Sequence, residues 1–366
     1  MMKTLVAISS VKSNSNYHYI GDVNFGTIKI PFGIIEVGKP KFDTSLSEND
    51  DYVLLQVKAI SCNYRDKAIL IENYKKFKKK NISYTPFGSE FCASVISKGS
   101  NVSEFEVGET VIPNCFFSDS RENGTGIPTN FASMGWLKIH KNKIITSPKN
   151  LTHNEAAGFS LGAQTATAMI RKINILNTGG TPLVFSARST TSIFLIKTLL
   201  AHNITPICLT TTKWSNKEKR LIYPSIIEKI DKHKYQTLEK IKKKNITHVF
   251  DPFFDMNIED AMYCLDNFGT YITCGLRDQH PLFSSNTPLQ HEPKVRNAIR
   301  DAIFKNITII GNCLGKSKDL EDAIKLIEKG SLHVPIDCIY PIDKGINFLT
   351  RTFCEKNKLG KCILEL

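Results

Sequence analysis

Three short stretches in the first third of the chain decide its fold. They read Cys62-Asn63-Tyr64-Arg65-Asp66, Phe87-Gly88-Ser89-Glu90 and Gly99-Ser100-Asn101-Val102. Apolar segments that alternate with these polar turns have the length and composition of strands. The predicted strands span residues 52–60, 90–98 and 109–113. The pattern predicts a β-rich domain over residues 1–150.

Length and composition leave room for a second domain. The chain has 366 residues, of which 41% are hydrophobic and 23% charged, and domains usually take about 100 to 200 residues. No apolar run approaches the roughly 18 to 20 residues of a membrane span, and the first ten residues lack the apolar core of a secretion signal. The ten cysteines are scattered without a Cys-x-x-Cys pair, which predicts reduced thiols. We therefore expect a cytoplasmic protein.

Residues 151–311 have a different pattern, in which helical and apolar segments alternate. Helical spacing covers 154–170 and 192–202, and strands are predicted at 183–185, 206–209, 247–250 and 270–274. Such an order is typical of a parallel sheet built from βαβ units. Its spacing fits a dinucleotide-binding domain.

Several landmarks together resemble one known superfamily. Asn63-Tyr64-Arg65-Asp66 is followed, in order, by Glu155-Ala156-Ala157, Gln164-Thr165-Ala166, Asp251-Pro252 and Gly360-Lys361. This series resembles the zinc-independent, quinone-reductase-like branch of the medium-chain dehydrogenase/reductase superfamily and covers most of the chain. The resemblance implies an α/β protein with a GroES-like, β-rich catalytic domain over 1–150, completed by 312–366. A Rossmann domain with a doubly wound parallel sheet is implied over 151–311, and a homodimer is the expected assembly.

The resemblance also locates the positions that hold catalytic zinc in related alcohol dehydrogenases. Those enzymes read Cys-x-x-Asp and Gly-His-Glu, whereas this chain has Asn63 and Ser89 at the cysteine and histidine positions. The third position falls near Leu161. Cys62, beside Asn63, is the one thiol near these positions, and whether it supports a metal stays open. The implied site contains no metal.

The same comparison implies catalytic roles. Tyr64 is the candidate donor of a proton, or of a hydrogen bond to an oxyanion, and Asn63 is predicted to hold a carbonyl or ribose oxygen. Arg65 and Asp66 are predicted to fix the loop as a pair, with Glu90 as a buried partner of Arg65. The alternative for Tyr64 is a packing role between the domains.

The expected cofactor loop departs from the Gly-x-Gly-x-x-Gly pattern of Rossmann folds. It reads Ser186-Ala187-Arg188-Ser189-Thr190-Thr191-Ser192, without a glycine. Backbone N–H groups at the start of a helix, together with hydroxyls and a guanidinium, can hold phosphate. Phosphate is therefore predicted to contact Arg188, Ser189, Thr190, Thr191 and Ser192, with a less close backbone approach.

The end of the next strand predicts the choice of cofactor. NAD enzymes place an acid there for the ribose, whereas residues 210–217 contain none. Thr210, Thr211, Lys213 and Lys217 suit a 2′-phosphate, so NADPH is predicted; a solvated loop is the alternative. The resemblance adds Thr165, Gly275 and Asn312 as further candidate cofactor contacts.

The leading functional hypothesis is a zinc-free, NADPH-dependent reductase of an electrophilic double bond. Its substrate is a small molecule or a peptide. Dehydroalanine in a lantibiotic precursor with an acidic leader is one option, because the net charge of +13 attracts anionic partners. An alcohol dehydrogenase or carbonyl reductase is the enzymatic alternative. A catalytically inactive protein that binds partners such as RNA through its basic surface is an alternative of another class. Under the leading hypothesis neither nucleic acid nor a membrane is an expected partner.

Overall fold

The computed structural model describes residues 1–9, 17–80, 83–116, 126–230, 234–276 and 295–366. The described strands, numbered in chain order, are β1 (Met2–Ile8), β2 (His18–Phe25), β3 (Ile28–Val37), β4 (Tyr52–Ser61), β5 (Tyr84–Thr85), β6 (Glu90–Lys98), β7 (Thr110–Pro113), β8 (Trp136–His140), β9 (Ile144–Thr146), β10 (Pro182–Val184), β11 (Ile207–Thr210), β12 (Ile226–Lys229), β13 (Ile246–Asp251), β14 (Leu265–Thr273), β15 (Thr308–Gly311), β16 (Ile336–Tyr340) and β17 (Lys361–Glu365). The described α-helices are α1 (Tyr64–Lys80), α2 (His153–Ala156), α3 (Ser160–Ile173), α4 (Ile175–Thr178), α5 (Thr190–Ala201), α6 (Asn216–Arg220), α7 (Lys234–Lys242), α8 (Phe254–Cys264), α9 (Val295–Lys305), α10 (Ser317–Glu328) and α11 (Gly345–Phe353).

The chain divides into two units. Unit 1 comprises Met1–Leu161 and Val334–Leu366, and unit 2 comprises Gly162–His333. Unit 1 contains a four-stranded sheet in the order β2-β3-β1-β5 and a seven-stranded sheet in the order β16-β17-β4-β6-β7-β9, with β8 paired to β4. Strand β17 runs antiparallel to β4, with Ile363 opposite Ser61. The C-terminal segment therefore completes the sheet that carries the first sequence motifs.

One helix of unit 1 was not anticipated by the pattern of short strands. Helix α1 has 17 residues and begins at Tyr64, directly after β4 and the two residues that follow it. Its buried residues include Ala68, Ile71 and Tyr74, which share one face at helical spacing. The rest of the helix is rich in lysine, so its apolar stripe is short and is hard to detect in the sequence.

Unit 2 contains a parallel sheet of six strands in the order β12-β11-β10-β13-β14-β15. This is the doubly wound order of a dinucleotide-binding fold, and ligands of such sheets bind at the carboxyl ends of the strands where the order reverses. Here the reversal lies between β10 and β13. The predicted α/β class, with a β-rich domain and a doubly wound parallel sheet, is confirmed. The single helix predicted at 154–170 is instead two helices, α2 and α3, which residues 157–159 separate.

The return to the first unit comes later than predicted. Residues 312–333 belong to unit 2, and the return begins at Val334. Gln164 of α3 donates hydrogen bonds to the carbonyls of Gly315 and Lys316, at 3.2 and 3.0 Å. Arg171 of the same helix forms two hydrogen bonds with the buried Asp319, at 2.6 and 2.9 Å. These contacts attach the start of α10 to α3.

Across the part of the chain described above, no helix combines the length and the apolarity that crossing a membrane requires.

Candidate active site and cofactor site

A buried ion pair lies at the centre of the candidate site of unit 1. The Lys361 ammonium lies 2.5 Å from Glu90 Oε2, and the two side chains are 2% and 0% exposed. Glu90 begins β6 and Lys361 begins β17, so β4, which lies between these strands in the sheet, brings the two ends together. Ser61, at the end of β4, donates to Glu90 Oε2 at 2.9 Å. A buried carboxylate with these partners is compensated in charge and in hydrogen bonding.

Asn63 bridges this pair through both ends of its amide. Its Oδ1 accepts a hydrogen bond from the Lys361 ammonium at 2.6 Å, and its Nδ2 donates to Glu90 Oε2 at 2.9 Å. These two contacts fix the orientation of the amide, because an ammonium only donates and a carboxylate only accepts. One N–H of Nδ2 is used in the contact with Glu90. The second N–H is the group with which Asn63 can bind a substrate oxygen.

Asp66 organises the start of α1. Its Oδ2 accepts hydrogen bonds from the backbone N–H of Asn63 at 2.7 Å and from the Ser89 hydroxyl at 2.8 Å. Arg65 lies 3.2 Å from Asp66 Oδ1 and donates to Asn130 at 3.0 Å. Burial raises the pKa of the Asp66 carboxyl, and the Arg65 guanidinium opposes that rise. Arg65 and Asp66 thus pair as predicted, whereas the predicted pairing of Glu90 with Arg65 is wrong: Lys361, far away in sequence, is the cation beside Glu90.

The residues at the three zinc-ligand positions do not fit a zinc ion. Asn63 and Ser89 offer an amide and a hydroxyl that are already hydrogen-bonded, and Leu161 has no donor atom in its side chain. The backbone N–H of Leu161 donates instead to Glu90 Oε1 at 2.9 Å. Zinc prefers thiolate, imidazole and carboxylate ligands. Burial raises the pKa of the nearby Cys62 thiol well above its ordinary value.

Tyr64, the candidate proton donor, is the first residue of α1. Its side chain is 37% exposed, and the Lys67 ammonium lies 5.7 Å from the centre of its ring. The ring is therefore accessible within unit 1 and next to a positive charge.

The glycine-free loop of unit 2 is held by its own hydroxyl groups. Ser189 caps α5 and accepts a hydrogen bond from the Ser192 backbone N–H at 3.1 Å. The buried Ser192 hydroxyl donates to the Phe185 carbonyl at 2.8 Å. The N–H and the hydroxyl of Ser192 thus both donate within the turn, so Ser192 has a structural role in place of the predicted contact with phosphate. Ser189, Thr190 and Thr191 lie at the N-terminal end of α5, where backbone dipoles favour an anion.

Ser186 takes the backbone conformation for which Rossmann loops use glycine. Its φ is +49°, in the left-handed region, which costs an L-residue about 1 kcal/mol or more. The carbonyl of Ser186 accepts a hydrogen bond from the Ser189 N–H at 2.8 Å. The turn between β10 and α5 thus keeps a glycine-like shape without the glycine.

Arg188, predicted to bind phosphate, is engaged with an acid of the next βα segment. Its Nη2 lies 2.7 Å from Glu218 Oε1, and its guanidinium lies 5.3 Å from the centre of the Trp214 ring. The hydrogen bond from Arg188 is the main reason that the pKa of Glu218 falls to about 2. Glu218 also accepts from the Ser215 N–H at 2.6 Å, which closes a capping box on α6. The charges of Arg188 and Glu218 therefore compensate each other within unit 2.

The four residues predicted to recognise a 2′-phosphate divide into two kinds. Thr210 is buried, and its hydroxyl accepts from the Thr212 N–H at 3.2 Å and from the Trp214 indole at 3.3 Å, so it shapes the turn. Thr211, Lys213 and Lys217 are exposed and follow the carboxyl end of β11. These three can meet an anionic ligand.

Three further candidates lie on different elements of unit 2. Thr165 is buried in α3, and Gly275 follows β14 and accepts a hydrogen bond from the Phe254 N–H at 3.0 Å. Asn312 follows β15, is buried, and donates from Nδ2 to the Leu314 carbonyl at 2.9 Å. Its Oδ1 is buried without a hydrogen-bond partner. A buried acceptor of this kind, at the carboxyl end of the sheet, fits a ligand that donates a hydrogen bond.

Asp251 is a buried carboxylate of unit 2 for which the sequence analysis predicted no role. Asp251 ends β13 and accepts hydrogen bonds from Tyr271 at 2.7 Å, from Asn257 at 2.7 Å and from the Phe253 N–H at 2.9 Å. Burial raises the pKa of Asp251 to about 6 despite these donors. Asp251-Pro252 is visible in the sequence as a landmark, but Tyr271 on β14 becomes a partner only through strand pairing.

Comparison with known proteins agrees with this description. Residues 49–152 match the model of the alcohol dehydrogenase GroES-like domain. No curated protein is detectably similar in sequence. A cobalt- and zinc-bound thermostable alcohol dehydrogenase from Pyrobaculum aerophilum superposes with a TM-score of 0.71 at 16% identity, covering 100% of both chains.

Two similar structures are reductases of a different kind. The 2-octenoyl-CoA carboxylase reductase CinF, in complex with NADP and 2-octenoyl-CoA, has a TM-score of 0.69 at 17% identity, covering 92% of this chain and 82% of its own. A crotonyl-CoA carboxylase/reductase has a TM-score of 0.71 at 16% identity, covering 100% of this chain and 88% of its own. In fold the chain therefore resembles these alcohol dehydrogenases and carboxylase/reductases.

Proposed function

We propose that this protein is an NADPH-dependent oxidoreductase that reduces a carbon–carbon double bond conjugated to a carbonyl group, without a catalytic metal. One observation carries the proposal. The positions of the zinc ligands hold Asn63, Ser89 and Leu161, and the first two are hydrogen-bonded to Lys361, Glu90 and Asp66. The donor set supplies no strong Lewis acid, so the substrate has to be electrophilic by itself.

The chemistry of the reduction assigns tasks to residues of unit 1. Thr211, Lys213, Lys217 and the start of α5 would hold NADPH, which would supply a hydride for the β carbon of the substrate. Negative charge would then develop on the carbonyl oxygen and the α carbon of the substrate. The second N–H of Asn63 Nδ2 donates a hydrogen bond to that oxygen. Lys361 and Glu90 hold the amide in the orientation that presents this N–H. A group that is fixed before the reaction loses no stabilisation to reorientation.

Tyr64 is the proposed source of the proton. Its hydroxyl transfers a proton to the α carbon and so completes the reduction, and solvent restores the hydroxyl. The ammonium of Lys67, close to the ring, favours a phenolate after this transfer.

The cofactor preference rests on the charges that follow β11. Lys213 and Lys217 are exposed there, whereas Glu218 is paired with Arg188. An acid that is paired in this way is not available to the two ribose hydroxyls that select NADH, and two lysines favour a 2′-phosphate. The bound NADP in the structure of CinF supports this choice by similarity of fold.

Dehydroalanine in a peptide with an acidic leader is the first substrate to test. It is an electrophilic alkene, and the net charge of +13 favours encounters with an acidic peptide. The expected assembly is a homodimer in the cytoplasm.

The test combines cofactor binding, metal content and turnover. Purified protein is analysed for zinc, titrated with NADPH and with NADH by nicotinamide fluorescence, and then given cyclohexenone, cyclohexanone or N-acetyl-dehydroalanine amide. We expect tighter binding of NADPH, less than a tenth of an equivalent of zinc, and NADPH oxidation with the two alkenes only. Stoichiometric zinc with reduction of cyclohexanone would instead establish a carbonyl reductase. Absence of binding by either cofactor would overturn the proposal and favour a binding protein.

A further inference from the structure

Two cysteines of unit 1 face each other on neighbouring strands, outside the residues used above. Cys338 of β16 and Cys362 of β17 are direct partners in the parallel register. The Cys338 thiol donates to the Cys362 sulfur, and the two Sγ atoms lie 3.4 Å apart. Neighbouring strands place Cα atoms about 5 Å apart, within the range that a disulfide bridges. Closing the remaining gap to a bond of about 2 Å requires only a small rotation of the two side chains.

The carboxylate next to this pair is already occupied. Asp337 completes a group of three possible metal ligands with the two cysteines. However, Asp337 accepts hydrogen bonds from Arg351 at 2.7 and 3.0 Å and from the Leu359 N–H at 2.9 Å. A guanidinium therefore holds the position beside the carboxylate that a metal ion would need. The two sulfurs remain, and a pair of thiols can be joined by oxidation.

We propose that Cys338 and Cys362 form a reversible disulfide when the protein meets a hydroperoxide. The Cys338 sulfur takes one oxygen atom from hydrogen peroxide, which gives a sulfenic acid and one molecule of water. The Cys362 sulfur then attacks the Cys338 sulfur; the S–S bond forms, the S–O bond breaks and a second molecule of water leaves. Two thiols and one peroxide thus give one disulfide and two waters. A dithiol reductant reverses the reaction.

The surroundings of the two sulfurs set this order. Cys362 is only 2% exposed, whereas Cys338 is a partly exposed residue, and we therefore assign the first attack of peroxide to the Cys338 sulfur. Burial raises the pKa of Cys338 to about 12, and it raises the pKa of Cys362 against the opposing charge of Lys358. Because the thiolate is the reactive form, oxidation accelerates as pH rises from 7 to 9.

The proposed bond lies next to the buried ion pair. Lys361, which contacts Glu90 and Asn63, directly precedes Cys362 on β17. A covalent link from β16 to β17 therefore restrains the strand that positions the Lys361 ammonium. This link does not depend on which substrate the protein uses.

The experiment detects the bond directly and needs no activity. Full-length protein is treated with excess hydrogen peroxide at pH 8, its remaining thiols are blocked in denaturant, and it is digested with trypsin. Cys338 falls in the peptide 330–344 and Cys362 in the peptide 362–366. We expect these peptides to appear joined, with a mass two hydrogens below their sum, and to separate after reduction. Cys338→Ser abolishes the joined species, whereas Cys354→Ser, which removes an exposed thiol, leaves it unchanged.

Two results would overturn the proposal. In the first, Cys313 and Cys354, which are exposed, become oxidised while Cys338 and Cys362 are recovered as blocked thiols. In the second, one equivalent of added zinc binds to wild-type protein but not to Cys338→Ser and protects both thiols from peroxide; the pair would then be a metal site.

Discussion

The Lys361 ammonium and the Glu90 carboxylate form a contact of 2.5 Å inside unit 1, although 271 positions separate them in the chain. Neither side chain is accessible to water, so each charge depends on the other for its compensation. Asn63, at a position where the resemblance implies a zinc ligand, joins both. A protein ammonium thus provides the positive charge beside Asn63 and Glu90.

Removal of the ammonium alone should be severely destabilising. Lys361→Ala leaves the Glu90 carboxylate buried without a cation, and we expect a loss of about 3 to 5 kcal/mol in the free energy of unfolding. Lys361→Met combined with Glu90→Gln should recover much of this loss, because no buried charge remains. Urea denaturation measures both variants. Lys325→Ala, in an exposed pair with Asp322, is the control and should change stability by less than about 1 kcal/mol. Equal losses in Lys361→Ala and the control would show that the ion pair is not important for stability.

Loss of the Tyr64 hydroxyl should affect turnover and spare cofactor binding. General acid catalysis contributes a factor of about 10² to 10⁴, so Tyr64→Phe should lower the turnover of an enone by that order. The dissociation constant for NADPH should stay within about twofold. Tyr235→Phe removes an exposed hydroxyl in unit 2 and serves as the control. Turnover that survives in Tyr64→Phe would remove this residue from the mechanism.

Charge reversal after β11 should abolish the choice between the two cofactors. Lys213→Glu with Lys217→Glu places negative charge where the 2′-phosphate is proposed to bind, so the preference for NADPH over NADH should fall at least about tenfold. Fluorescence titration with both cofactors measures the ratio. Lys219→Glu with Lys229→Glu changes two other exposed lysines of unit 2 and makes the same change in net charge. An unchanged ratio in the Lys213→Glu, Lys217→Glu variant would show that other residues recognise the phosphate, and Arg188 would be the next candidate to test.

Glycine at position 186 should stabilise the protein. Ser186 has φ of +49°, a conformation that glycine adopts without steric strain. Ser186→Gly should therefore raise the free energy of unfolding by up to about 1 kcal/mol, after the entropy that glycine gains in the unfolded chain is subtracted. Ser189→Gly, at φ of −66°, is the matched control and should be destabilising by a few tenths of a kcal/mol. A loss of stability in Ser186→Gly would mean that the serine side chain outweighs the strain.

The buried Asp251 should make stability fall between about pH 4 and pH 6. Its pKa is raised from 3.8 to about 6, so in this window the folded state keeps a proton that the unfolded state has released. Stability that is fully present below pH 4 is lost as the pH rises through 6. Asp251→Asn removes this titration, and the stability of the wild type relative to the variant should decline by about 3 kcal/mol across the window. Denaturation at several pH values measures the difference in stability between wild type and variant. Asp266→Asn, at an exposed position, is the control. A difference for Asp251→Asn that does not change with pH, as expected for the control, would contradict the prediction.

Local patterns were enough to predict most of the architecture. The strands around the Asn63 motif and those of the parallel sheet follow from apolar runs bounded by turn residues, and the sheet order is the one that alternating βα segments adopt. Helix α1 was missed because its buried face is short. The boundary at 312 was placed too early because Arg171 and Gln164, which attach the start of α10, act through side chains distant in sequence.

The sequence by itself determined which functional groups are present: an amide, a hydroxyl and a leucine at the zinc positions, a serine where a glycine is usual, and two lysines after β11. Only the tertiary structure decided which of these groups are engaged. It paired Glu90 with Lys361 and Arg188 with Glu218, and it buried the Ser192 hydroxyl against Phe185. The physical reason is that a charged or polar group takes its partner from whatever strand pairing brings within about 3 Å, and a local pattern contains no information on that distance.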